Sequence, residues 1–448
     1  MSQPTAADAV VHARYVLPME SPGTVLEHHS VVVQGGRVLR VLPSAEARRL
    51  YTAVDAVERP HHALLPGFVN AHTHAAMSLL RGATGGQKLD IWLRRTIWPV
   101  EARLVDEEFI RTGATLAIAE MLLSGVTCFG DMYYLPEVTA RAAAACGMRA
   151  RVGLPVVEGQ TPWGSGIDEH LARGLALHDE MLDDPLVGTL FALHSPGLTQ
   201  DATLGRVRTL ADQLQIPAMI HLLESPDERS REQRRHGVGP LERLERAGLV
   251  NDLLIAVHCV KASAAEIDIL ARAGAAVVHC PASNLKLGNG IAPLPQMLLA
   301  GLTIGLGSDG AASNDALDVL GECRLAALLA AGISGEPGLL PPHQALSLAT
   351  LGGARALGLA DQTGSIAVGK WADLTCIDLS GPCVEPAHDV AAAIVHSGGR
   401  AQVTDTWVAG HRLVADGRLV RLEVGALLAE VRSFAPRVAH CLASLEHA

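Results

Sequence analysis

The chain has 448 residues, 49% of them apolar and 19% charged, which is enough apolar surface for a large core and excludes a wholly disordered chain. Aromatics make up only 3%, so the core is expected to rest on Ala, Leu, Val and Ile. With 36 basic against 47 acidic residues the formal charge is −11, which repels phosphate backbones and argues against nucleic acid as a partner.

The eight cysteines are scattered and form no C-x-x-C pair, as expected of buried free thiols rather than a disulfide scaffold. No basic segment leads into an apolar one at the N-terminus, and no apolar run approaches a membrane span. A reducing, cytoplasmic setting without a membrane partner is the expectation.

In chain order, the first sixty residues read as β. A β-branched run over 30–34, the Gly35-Gly36 turn and the apolar alternation Val38, Leu39, Val41 predict a hairpin. The middle alternates short apolar strands with Ala/Leu/Arg/Glu-rich helical stretches such as 109–123 and 204–214. Strands are predicted at 67–70, 126–130, 150–153, 190–193, 218–220, 253–257, 275–278 and 302–307. Eight such alternations predict a (β/α)8 TIM-type barrel. Strand signals return at 374–379, 403–408 and 412–414, followed by a helix from 424. The expected organisation is a small β domain from both chain ends (1–64 and 364–423), a barrel over 65–363 and a C-terminal helix over 424–448.

Chemistry in such barrels lies at the C-terminal strand ends. The predicted ends carry His72 and His74, Asp131, His194, His221, His258, His279 and Asp309; strand three alone lacks a His or Asp. His72-Thr73-His74 places two imidazoles on one side of an extended segment, where they can grip one divalent ion. His221 and Asp309 supply a third imidazole and a carboxylate, a set suited to Zn²⁺ and also to Fe²⁺ or Mn²⁺. Glu224, three residues past His221, is placed to shuttle a proton beside the metal. His258 is a further functional candidate, since its strand end lies between those of His221 and Asp309. His279 is a candidate for orienting its neighbours. The Arg/Glu-rich stretch 228–246 reads as a solvated helix face.

The run Leu65-Pro66-Gly67-Phe68-Val69-Asn70-Ala71-His72-Thr73-His74, with Ile220-His221-Leu222-Leu223-Glu224, His279-Cys280-Pro281-Ala282-Ser283-Asn284 and Gly307-Ser308-Asp309-Gly310, resembles the amidohydrolase superfamily. More narrowly it is similar to the 5′-methylthioadenosine/S-adenosylhomocysteine deaminases, in the branch that holds the triazine hydrolases. The resemblance implies a distorted barrel with a small β-sandwich domain and one Zn²⁺ on His72, His74, His221 and Asp309. It also implies hydrolytic attack at C6 of an adenine ring. Glu224 protonates the ring nitrogen, and His258 and Asp309 pass the water's proton. By the same resemblance Trp92 lies against the substrate, Glu101 accepts the ribose hydroxyls and His194 contacts the nucleoside. A homo-oligomer, dimer or higher, is implied as well.

There are departures. Gly197-Leu198 follow Pro196 where the family often has Tyr, and Leu154 stands where some members carry Arg. An apolar Leu154 would suit a methylthio group, which favours 5′-methylthioadenosine over S-adenosylhomocysteine. Without the resemblance, Trp92 and Glu101 belong to an amphipathic helix in which Arg94, Arg95 or Arg103 pairs with Glu101. Two other functions compete: a triazine or free-base aminohydrolase or chlorohydrolase on the same metal site, and a metal-binding barrel without catalysis.

Overall fold

The computed structural model describes residues 4–83 and 85–446. Its strands form two eight-stranded sheets. One is a parallel barrel of β5 (Phe68–Thr73), β6 (Val126–Asp131), β7 (Arg149–Val156), β8 (Val187–Leu193), β9 (Ala218–Leu222), β10 (Leu254–His258), β11 (Ala276–His279) and β12 (Thr303–Leu306), paired in that order. These are the eight strands read from the sequence, each shifted by a few residues at its ends. Val69, Ala71, Leu190, Met219, Ile255, Val257 and Val278 fill the barrel interior, while a larger apolar layer joins the strands to the surrounding helices.

The barrel closes at its C-terminal end between β5 and β12. The Asp309 N–H donates to the His72 carbonyl at 3.0 Å, and Asn70 both accepts from the Ser308 N–H and donates to the Ser308 hydroxyl. Gly307 belongs to this seam, because a Cβ there would lie 2.9 Å from the His72 carbonyl oxygen. Two predicted ligand-bearing segments are thereby held side by side.

The second sheet joins both chain ends. It contains β1 (Thr5–Val16), β2 (Leu26–Gln34), β3 (Arg37–Pro43), β4 (Tyr51–Pro66), β13 (Leu374–Asp378), β14 (Val403–Val408), β15 (His411–Ala415) and β16 (Arg418–Leu419). β4 is the hinge of this sheet, parallel to β1 on one side and antiparallel to β13 on the other. The sheet folds over itself. The Ala372 N–H donates to the Gly36 carbonyl and the Val38 N–H to the Lys370 carbonyl, both at 2.9 Å, enclosing Val11, Val31, Leu64, Leu374 and Trp407. A short helix, Ser44–Leu50, interrupts the stretch read as wholly β.

A buried ion pair bolts the sheet to the barrel floor. Arg149 at the start of β7 donates from Nε and Nη2 to Asp373 at 2.7 and 3.1 Å. Asp373 also accepts from the Thr363 hydroxyl and the Ala409 N–H, and Arg149 donates to the Pro185 carbonyl.

Most of the stretch 228–246 is the solvated face expected from its mixed charges, with Arg229, Arg234, Arg235, Glu242, Glu245 and Arg246 exposed, but one arginine turns inward. Arg243 and Glu232 are buried and paired at 2.8 Å, and Arg243 also binds Asp201 and the carbonyls of Pro196 and Thr199. This network anchors the loop after β8. Helical charge alternation is the same whether an arginine meets water or folded-back loop carbonyls, so the pattern alone does not separate the two.

Candidate active site

His72 lies in β5 and His74 one residue past it, both facing the top of the barrel. His221 comes from β9, His258 ends β10, and Asp309 follows β12. Asp309 Oδ1 lies 3.1 Å from His74 Nε2 and 3.4 Å from His72 Nε2. His221 Nε2 lies 3.2 Å from His72 Nε2.

The surroundings orient these groups. The His221 Nδ1 pairs with the His194 carbonyl at 2.8 Å, and His74 Nδ1 with the Met132 carbonyl. A proton on each Nδ1 leaves the Nε2 lone pair free to bind a cation. Asp309 Oδ2 accepts from the Ser283 and Ser313 hydroxyls at 2.6 and 2.7 Å, whereas buried Oδ1 has no hydrogen-bond partner among the described residues. Several converging acceptors around one unpartnered carboxylate oxygen, with an N/O donor set, fit a divalent ion. The carboxyl of Asp309 is held far below its usual range: burial opposes this, but His72 and His74 outweigh it.

The turns that present these groups are strained. Leu223, His258, Cys259 and Asp309 all have positive φ (53°, 74°, 46° and 59°). Such conformations cost of order 1–3 kcal/mol each and persist where surrounding contacts over-determine them. Glu228 supplies such contacts, accepting from the N–H groups of Leu223 and Glu224 at 3.0 and 2.8 Å. Glu224 in turn accepts from the Asn289 amide at 2.9 Å and lies 3.8 Å from His258 Nε2. Burial raises its carboxyl above the ordinary value. His258 Nδ1 is fixed by Asn284 Oδ1 at 2.9 Å.

A cleft of about 800 Å³, counting its open mouth, spreads from this centre. Its wall includes His74, His194, His221, Glu224, His258 and Asp309 together with Trp92 and Glu101. The last two belong to a helical stretch built from Leu89–Trp92, a wide π-type turn Leu93–Ile97 and Trp98–Leu104. Nine residues of regular α-helix make about two and a half turns, which places Trp92 and Glu101 on opposite sides. The wide turn absorbs an extra residue and brings both toward the cleft. The C-terminal helix Val424–Glu446 braces this stretch, with Phe434, Val438 and Cys441 packing among Ile97, Val100 and Leu104.

Glu101 does not pair with the arginines of its own helix. It accepts from the Tyr133 hydroxyl at 2.8 Å, and Arg103 instead reaches Ser444. Burial raises the Glu101 carboxyl to about 7, against the pull of the Tyr133 hydroxyl. Burial also lowers the His194 imidazole to about 4; its ring meets Trp98 edge-on at 6.0 Å.

Leu154 departs from expectation. It is buried toward the helix Ile167–Met181, beside Gly174, and Pro155 and Val157 line the cleft in its place. An offset of one residue along a strand exchanges the two faces. His279 is buried with neither ring nitrogen hydrogen-bonded among the described residues, and burial lowers it to about 3. Gly197 and Leu198 line a recess beside the cleft, where a Cβ on Gly197 would lie 2.6 Å from Glu232 Oε1. The sequence pattern gives Tyr133, Trp98, Asn289 and Ser313 no role at the site, and Ser283 and Asn284 enter only as members of a family-like block. Tyr133 was within reach, being two residues past the β6 end at Asp131.

Residues 63–413 match the family model for the amidohydrolase family. The chain belongs to the amidohydrolase family. This amidohydrolase is 39% identical over 435 residues to a protein of Teredinibacter turnerae named 5-methylthioadenosine/S-adenosylhomocysteine deaminase, covering 96% of this chain and 98% of that one. A protein of the same name from Saccharophagus degradans is 38% identical over 423 residues, covering 94% and 95%. Among solved structures, an adenosine deaminase from Xanthomonas campestris with bound zinc superposes with a TM-score of 0.96 at 44% identity, covering 98% of this chain and all 100% of that one. An atrazine chlorohydrolase from Arthrobacter aurescens shares the fold at 24% identity and a TM-score of 0.89, covering 95% and 99%. The amidohydrolase is thus a hydrolase acting on C–N bonds, with a metal cofactor. Among the described residues no helix is long and apolar enough to cross a membrane.

Proposed function

We propose that this amidohydrolase hydrolyses the 6-amino group of an adenine nucleoside, with 5′-methylthioadenosine preferred and S-adenosylhomocysteine or adenosine as further substrates. The observation that carries this reading is the buried Glu101 carboxylate facing the same cleft as Glu224, His258 and Asp309. A carboxylate that accepts two hydroxyl hydrogen bonds selects a ribose diol; a free base or triazine has none. The apolar wall of Leu89, Leu93, Pro155 and Val157 suits an uncharged 5′ substituent.

His72, His74, His221 and Asp309 are the residues that would hold the metal, with Zn²⁺ the first choice and Fe²⁺ or Mn²⁺ the alternatives. Bound there, a divalent cation supplies the acidification of water that hydrolysis near neutral pH requires. The chain's own groups divide the remaining work. Glu224, its carboxyl raised by burial, gives a proton to the ring nitrogen beside C6 as negative charge builds there. His258, with Nδ1 fixed on Asn284, offers Nε2 to take a proton from the attacking water. Asp309 helps pass that proton toward the departing amine, and the proton left on the C6 oxygen returns to Glu224, so that ammonia leaves and the ring keeps the oxygen as a carbonyl. Trp92 and His194 would hold the nucleoside against the wall of the cleft.

Seven buried free cysteines out of eight suit a reducing, cytoplasmic setting, and a homo-oligomer belongs to the same reading, to be checked by sedimentation. The deciding experiment is product release by zinc-loaded protein in parallel assays, ammonia from 5′-methylthioadenosine, S-adenosylhomocysteine, adenosine and guanine, and both ammonia and chloride from a chlorotriazine. Preferred turnover of a nucleoside supports the proposal. Turnover confined to the base or the triazine would sink it.

A further inference from the structure

The chain just past β6 touches both ends of the cleft. Asp131 accepts from the Ala75 N–H at 2.7 Å, the Met132 carbonyl pairs with His74 Nδ1, and the Tyr133 hydroxyl donates to Glu101 Oε1 at 2.8 Å. Three consecutive residues thus brace the segment carrying His74 and, across the cleft, the helix carrying Glu101. The Tyr133 ring has little freedom. It is buried, lies 5.4 Å from the Tyr134 ring and 6.3 Å from that of His74.

A buried carboxylate swings about its last torsion unless a donor holds one oxygen. Tyr133 occupies one acceptor position on Oε1 and leaves Oε2 and the other Oε1 lone pair for two further donors. We propose that Tyr133 is a positioning residue that sets the Glu101 carboxylate in the orientation that reads a vicinal diol, and so fixes the enzyme's specificity for ribose. This rests on the nucleoside reading of the cleft. Burial drives the Glu101 carboxyl upward overall, and the phenol opposes it by stabilising the charged form, the form a diol needs as acceptor. Tyr133 itself does no chemistry on the substrate; it acts through Glu101.

The test uses the full-length enzyme and its Tyr133→Phe, Glu101→Gln and doubly substituted variants. Kinetics are measured with adenosine and 2′,3′-dideoxyadenosine, and calorimetry measures binding of inosine and 2′,3′-dideoxyinosine. For Tyr133→Phe the expected result is a roughly tenfold weaker KM for adenosine and a similar loss of inosine affinity, corresponding to one hydrogen bond of about 1.4 kcal/mol. The loss falls on KM rather than kcat, the dideoxy compounds lose less than twofold, and Tyr133→Phe adds nothing to Glu101→Gln. Equal losses for ribose and dideoxy compounds, or additive effects in the double variant, would overturn the assignment and leave Tyr133 a packing residue. A wild-type enzyme that treats ribose and dideoxy compounds alike would overturn the nucleoside reading, and this inference with it.

Discussion

Removal of Asp373 tests whether the two sheets are held together by the buried pair at the barrel floor. In Asp373→Ala the Arg149 guanidinium, 2% exposed, keeps only the Pro185 carbonyl and is left as a buried charge without a counterion. Breaking such a pair from one side costs about 3–5 kcal/mol. At about 2.1 cal/mol/K per residue, 448 residues give an unfolding entropy near 0.9 kcal/mol/K, so Tm is expected to fall by about 3–5 °C. Arg149→Met is expected to cost less, because Asp373 then retains the Thr363 hydroxyl and the Ala409 N–H as donors. Differential scanning calorimetry at one fixed scan rate measures both. Tm values for both variants within 1 °C of wild type would refute the reasoning, as would Arg149→Met proving the worse of the two.

Other outcomes follow from the site. Glu224→Gln is expected to keep its metal, measured by atomic absorption, while losing about 10²–10⁴ in kcat, the usual share of a general acid. Ser283→Ala and Ser313→Ala each remove a hydroxyl from Asp309 Oδ2, and each should weaken metal affinity about 10–100-fold in competition with a chelator. Because burial raises Glu101 to about 7, its charged form drains away as pH falls through that value. KM for a ribonucleoside should therefore rise about tenfold between pH 8 and pH 6, and a KM flat over that range in Glu101→Gln would tie the effect to this group.

The barrel strands and their chemical ends were legible because each strand is a short apolar run that stops at a His or Asp, and a period of two aligns His72 with His74. β1 and β4 were harder to delimit. β4 runs for 16 residues and mixes the exposed Glu58 and the half-buried Arg59 with a buried end, so it carries no single hydrophobic period. Leu154 failed for a different reason: side-chain direction depends on register, and one residue reverses it. The Tyr133–Glu101 contact joins positions 32 apart on separate elements, and no local spacing encodes it. Arg243 turned inward because loop carbonyls and Glu232 needed donors, a demand visible only once the chain is folded.

Because β4 lies between β1 and β13, the order of synthesis matters. β1 and β4 can pair as soon as residues up to Pro66 have left the ribosome, but the partner for the other edge of β4 begins at Leu374. At roughly 5–20 residues per second, the intervening ~300 residues take about 15–60 s to make. Throughout that interval the nascent chain presents an unpaired strand edge ending in Ala63, Leu64 and Leu65, the kind of surface that recruits other chains. Holdase chaperones have their best opportunity there, and slowing translation late in the message should raise aggregation more than slowing it early.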